Sequence, residues 1–161
     1  MQESNQFLVK FDIQLIDMKK IILFLFLATS SMAFSQNWES NFANAKAKAV
    51  KENKNILLVF SGSDWCAPCI KLDKNIWQSK EFGKASNEDW IIYKADFPKK
   101  KANLLPEKLT AENKALAEKY NKAGNFPLVV LLDKTGKILG MESYKNVSAK
   151  DYIQLIHSFE K

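Results

Sequence analysis

Ile56-Leu57-Leu58-Val59-Phe60 is an unbroken apolar run of strand length, opened by Asn55 and broken by Ser61-Gly62-Ser63-Asp64. A strand that alternates apolar and polar residues can leave one face in water, whereas one without polar positions must be covered on both. The chain therefore has to place a central strand with a layer of structure on each side. Trp90-Ile91-Ile92-Tyr93-Lys94-Ala95 and Leu128 to Leu132 are further runs of strand length. Asp133-Lys134-Thr135-Gly136 reads as a hairpin turn into a fourth strand, Ile138 to Tyr144.

The covering layers are helical. Trp38, Phe42, Ala45 and Ala49 recur at helical spacing and predict a helix from Trp38 to Lys54. A second is predicted from Cys66 to about Trp77. Phe97 to Leu109 contains Pro98, Pro106 and Lys99-Lys100-Lys101 and reads as a surface loop. Thr110 can cap a helix through Tyr120 that ends by Gly124. Ser148 and Asp151 resemble a capping box ahead of the stripe Tyr152, Leu155, Ile156, Phe159. The order is helix–strand–helix–strand–helix–strand–strand–helix. Helical crossovers from the first strand to the second, and from the second to the third, predict parallel neighbours, and the tight turn makes the last pair antiparallel. The fold class is α/β, a three-layer α/β/α sandwich around a central mixed sheet.

The first 35 residues belong to something else. Met18-Lys19-Lys20 precedes an apolar run from Ile21 to Ala28, and Ala33 and Ser35 are small residues placed for cleavage before Gln36. Charge, short apolar core and small residues in that order match a secretory signal. The apolar stretch falls short of the ~20 residues a membrane span requires, so no stable membrane anchor is expected after cleavage. The residues before Met18 serve no part of such a signal, and Met18 is the candidate start. The domain reading is a leader over 1–35 and one folded domain over 36–161, with a periplasmic or secreted location. The competing reading makes Ile21 to Phe34 a buried helix.

The chain has 161 residues and a formal net charge of +6, all of its basic side chains being lysines. Nucleic-acid recognition draws on arginine for bidentate contacts, and these lysines are spread along the chain, so no nucleic-acid partner is expected.

Cys66 and Cys69 are the only cysteines. Three chemistries compete for them: a structural staple, a metal site and a redox dithiol. A bridge across three residues closes a very small loop and adds little stability. Two cysteines and the single, distant His157 fall short of a four-ligand zinc site, so neither metal nor cofactor is expected. A strand-to-helix junction favours the third. Unpaired N–H groups and the positive end of the helix dipole stabilise a thiolate at the first cysteine. The second, one turn later, is placed to resolve a mixed disulfide. Pro68 fits the first turn, where a missing N–H costs nothing.

Val59 to Cys69, with Trp65-Cys66-Ala67-Pro68-Cys69 after an apolar strand, resembles the thioredoxin superfamily. Lys71-Leu72-Asp73-Lys74 through Ser79 and Phe82 is most similar to the thioredoxin-like domains of periplasmic thiol–disulfide interchange proteins. The likeness continues through Asp96, Gly124-Asn125-Phe126-Pro127 and Asp133 to Lys137, with Phe97–Leu109 as an apparent insertion. It implies that Cys66 and Cys69 are catalytic and that Phe126-Pro127 is a cis peptide facing them. Trp65, Ala67, Pro68, Phe126 and Pro127 would then contact substrate. Many members carry a buried acid six residues before the first cysteine; Phe60 stands there in this chain. Asp64, Lys71 or solvent water are the remaining candidates to accept the Cys69 proton.

Ala67 and Pro68 carry no charge that would stabilise the reduced pair, and the resemblance to reducing members implies a protein-disulfide reductase. Its partners would be protein thiols and disulfides, with a membrane-embedded electron donor. A disulfide oxidase or isomerase of the same fold, and a non-enzymatic binding module, are the alternatives.

Overall fold

The computed structural model describes residues 36–161; the signal read in residues 1–35 lies outside the described residues. Strands β1 (Asn55–Ser61), β2 (Trp90–Asp96), β3 (Leu128–Leu132) and β4 (Ile138–Glu142) form one mixed sheet in the order β2-β1-β3-β4. As its apolar run requires, β1 is central and buried from Ile56 to Ser61. Its alternation divides the core. Ile56, Leu58 and Phe60 pack with Phe42, Ala45 and Ala49 of α1 (Phe42–Glu52) and with Leu116 and Tyr120 of α4 (Glu107–Tyr120). Leu57 and Val59 face the opposite layer. There they meet Leu72 of α2 (Ala67–Leu72), Phe82 of α3 (Lys80–Asp89), and Tyr152 and Ile156 of α5 (Ala149–His157). Burial of each such side chain contributes roughly 1.5–3 kcal/mol, and a one-residue slip in β1 would exchange the two faces.

Four expectations change. First, β2 and β3 are not parallel neighbours: β1 separates them, pairing parallel with β2 and antiparallel with β3. A parallel crossover must carry the chain to the far end of the sheet. Here the segment after α4 returns it to the end where β2 finished, so Phe126 stands against Trp65 with ring centroids 5.5 Å apart. Second, α1 starts at Phe42, not Trp38. The Asn41 side chain accepts from the Asn44 amide at 2.8 Å, and the Glu112 carboxylate takes the Phe42 N–H. Trp38 instead bridges to Ile92 beside β2 and packs with Trp77 and Phe82, on the other face.

Third, α3 was not legible. Its ten residues bury Phe82, Gly83 and Ser86, too weak an apolar stripe to read, although Ser79 caps it at 3.1 Å. Fourth, α4 begins at Glu107 with Pro106 as its cap, so Thr110 lies inside the helix and the preceding loop is shorter than Phe97–Leu109. Ser148 is the N-cap of α5, as expected: its hydroxyl accepts from the Asp151 amide at 3.2 Å, and the Asp151 carboxylate accepts from that hydroxyl at 2.7 Å where a full capping box would bond the Ser148 main-chain N–H. Among the described residues no helix is long and apolar enough to cross a membrane.

Candidate active site

Ser61 ends β1, and Gly62-Ser63-Asp64-Trp65 turns the chain into α2. Cys66 is the N-cap of that helix in an extended conformation, and its sulfur accepts from the Cys69 amide at 3.3 Å. Sequence pattern and geometry agree here, since an N-cap must supply an acceptor to the unpaired amides of the first turn. Cys66 and Cys69 are joined by a disulfide, with a Cα–Cα separation of 5.2 Å. Both are buried, at 5% and 2% exposure, whereas Ala67 and Pro68 between them are exposed. The Gly62 amide points at the Cys69 sulfur from 3.5 Å, a donor available to a thiolate released there. α2 continues through a π-helical turn, Asp73–Trp77, which carries Ile76 and Trp77 into the core.

The Phe126-Pro127 peptide is cis, as the resemblance implied. Pro127 is buried just before β3, and the half-buried Phe126 ring meets Trp65 edge-on. Trp65 is 40% exposed. Its indole N–H donates to the Phe97 carbonyl at 2.7 Å, and the Phe97 ring meets Phe126 at 5.4 Å. An aromatic trio from three chain segments thus gathers around Trp65, the residue before Cys66. Gly62 makes it possible, because a Cβ there would lie 2.4 Å from the Trp65 ring.

The segment after β2 forms the remaining wall. The Phe97 amide donates to the Ser61 carbonyl at 2.8 Å. Asp64 accepts from the Lys99 and Lys100 amides, each at 2.9 Å, and from the Asn103 side chain at 3.0 Å. The Lys99 amide above all, helped by Asn103 and the Lys100 amide, holds the Asp64 carboxyl below its ordinary range against the opposing pull of desolvation. Asp96 receives the Ser63 amide at 2.9 Å and its hydroxyl at 2.5 Å. The Lys99 ammonium lies 3.9 Å from the Trp65 ring centroid.

Asp64 is thereby committed to the loop, and Lys71 is an exposed residue of α2. Phe60, six residues before Cys66, is fully buried in the α1–α4 layer. Among the described residues, the buried polar side chains are Ser61, Ser86, Asn113 and Asn121, with no carboxylate among them. Gly62, Phe97 and Lys99 are participants that sequence reasoning did not place, and Asp64, expected as a candidate proton acceptor, holds the loop instead. Gly62 read only as a strand breaker, and Lys99 as part of a lysine-rich surface loop, solvated or open to the electron donor.

Strand, bridged helix start and cis-proline loop together make this chain a member of the thioredoxin-like family, whose model matches residues 37–134. The chain is 34% identical over 126 residues to the disulfide bond reductase DsbH of Chlamydia pneumoniae, covering 78% of this chain and 74% of that protein. A solved structure of a DsbH oxidoreductase superposes with a TM-score of 0.74 at 32% identity, covering 81% of this chain and 89% of that one. The thioredoxin-related protein DsbJ of Chlamydia pneumoniae is 30% identical over 95 residues, covering 59% of this chain and 26% of DsbJ.

Proposed function

We propose that this protein is an exported protein-disulfide reductase working through the Cys66–Cys69 dithiol. The observation that carries the reading is the bridge between the N-cap residue of α2 and the residue one turn further on. Similarity to a protein named a disulfide bond reductase supports the direction, as does the uncharged Ala67-Pro68 dipeptide.

In the reduced protein, the Cys66 thiolate attacks one sulfur of a substrate disulfide and expels the other as a thiolate. Cys69 then loses its proton and attacks the Cys66 sulfur. The second substrate thiolate leaves and the Cys66–Cys69 bridge forms, so two electrons pass from dithiol to substrate. Helix-start amides stabilise the Cys66 thiolate, and the Gly62 amide offers a hydrogen bond to Cys69. With Phe60 in place of an acid, the Cys69 proton leaves to water. Trp65, Ala67, Pro68 and Phe126 form the substrate-contacting surface, with the buried Pro127 setting the course of the Phe126 backbone. A membrane-embedded thiol donor restores the dithiol outside the cytosol, and residues 1–35 direct export.

Cys69→Ser tests the assignment, since it should leave substrates trapped on Cys66 as mixed disulfides that thiol reductant releases. Absence of any trapped species while Cys66 remains alkylatable would overturn the nucleophilic role. A reduction potential near the strongly oxidising end of the family range would reverse the direction. N-terminal sequencing of the exported protein should begin at Gln36.

A further inference from the structure

Lys99-Lys100-Lys101 reads from the sequence as a solvated charge run, but its backbone is not free. The segment is held at Ser61, at Trp65 and three times over at Asp64, all within the turn that leads into Cys66. Lys101 opens a short 3-10 turn to Asn103, and all three lysine side chains are exposed. Lys99 has a defined place, its ammonium over the exposed Trp65 ring next to the dithiol. On the other flank of α2, Lys71 and Lys74 line a groove with Ile70, Tyr144 and Asn146. Ile70, directly after Cys69, is 47% exposed. Against these five lysines stand the Asp64 and Asp96 carboxylates, which keep their charge while accepting from the loop amides and from Ser63, whereas Asp73 is paired with Lys94 at 3.1 Å, so the cations remain in excess by three. The turn and helix that carry the bridge thus expose Trp65 and Ile70 amid a net excess of lysines.

We infer that the Phe97–Asn103 segment is a basic lip that selects disulfides flanked by acidic residues in the substrate protein. A carboxylate beside the substrate half-cystine would meet Lys99 as the disulfide approaches Cys66, and further acidic residues would meet Lys100 and Lys101. This substrate class rests on the reductase reading, and charge complementarity carries it. Each exposed pair contributes a factor of about 1.4 to 5, so the lip as a whole favours acidic over basic flanks by roughly ten-fold at low salt. Surface pairs of this kind are screened by added salt.

The test uses pre-reduced full-length domain and two disulfide-bridged peptides that differ only beside one half-cystine, Glu-Glu in one and Lys-Lys in the other. Neutral hydroxyethyl disulfide is the reference substrate. The wild type should reduce the Glu-Glu peptide roughly ten-fold faster, with the ratio approaching one near 0.5 M salt. Replacing Lys99, Lys100 and Lys101 by Gln should abolish the preference, and Lys99→Arg should retain it. Circular dichroism and thermal unfolding establish that each variant folds. Equal rates on the two peptides, or a preference that survives the triple replacement, overturn the lip while hydroxyethyl disulfide is still reduced. Failure to reduce hydroxyethyl disulfide at all overturns the reductase reading itself, and the lip with it.

Discussion

Gly62 shows how much of the site depends on the absence of an atom. Its missing Cβ leaves room for the Trp65 indole, which would otherwise approach that carbon to 2.4 Å. Gly62→Ala should therefore push the ring off its Phe97 hydrogen bond and apart from Phe126. The expected results are a red shift in tryptophan emission as Trp65 enters water and a several-fold slower reduction of peptide disulfides. An unchanged spectrum would show that the ring does not rest on Gly62. Cys66 and Cys69 were legible because their placement follows from local order, strand, break and cap, whereas the cis peptide at Pro127 was implied only by the family resemblance. Phe97 and the loop-holding role of Asp64 were not legible, because each acts through a partner far away in sequence, 35 positions from Asp64 to Lys99, and the need for Gly62 shows only once the Trp65 ring is placed.

Among the elements, the segment joining β2 to α4 departs furthest from its sequence reading. Prolines and lysines marked it as a loop, and a loop it largely is, but one folded against the dithiol turn by the Asp64 carboxylate. Asp64→Ala should leave the sheet intact and expose the Lys99 and Lys100 amides. Hydrogen exchange at those two positions should accelerate selectively, while amides of β1 stay protected; uniform acceleration would instead mean global destabilisation. The same clasp has a pH signature. Because the folded carboxyl titrates below its usual 3.8, the clasp is at full strength above that value and loosens as pH falls through the lower folded one. Strand direction was harder to read than strand existence. The apolar runs at Ile56 and Leu128 declare buried strands, but nothing local says that the chain after α4 returns to the dithiol end before β3 begins.

For the molecule as a whole, chemistry and closure sit at opposite ends of the sheet. Ser61 and Asp96 finish β1 and β2 beside the bridge, whereas Asn55 and Trp90 open those strands at the other end. There Glu160 gathers the chain terminus, accepting from the Trp90 indole at 2.8 Å and the Asn55 side chain at 3.1 Å, and pairing with His157 at 2.9 Å. His157 also lies within 3.4 Å of the Asp89 carboxylate and against the Trp90 ring. Burial raises the Glu160 carboxyl, but bonds from His157, Trp90 and Asn55 outweigh it and leave the group below its usual 4.5. A lowered folded value contributes stability above the unfolded one and loses it as pH falls through the folded one. Glu160→Gln should thus lower the urea midpoint at pH 7, and its deficit relative to wild type should narrow below about pH 4.5. A deficit constant with pH would assign the effect to packing alone. The other end has a different freedom. Asp64 grips positions 99 and 100 by main-chain N–H groups, which every residue but proline supplies. These two bonds are indifferent to the side chains at 99 and 100, so with Asn103 kept as the third partner of Asp64 those positions are interchangeable in evolution and in a combinatorial library. The lip's clientele can drift from acidic to neutral or basic proteins while the catalytic turn and the fold beneath it stay as they are.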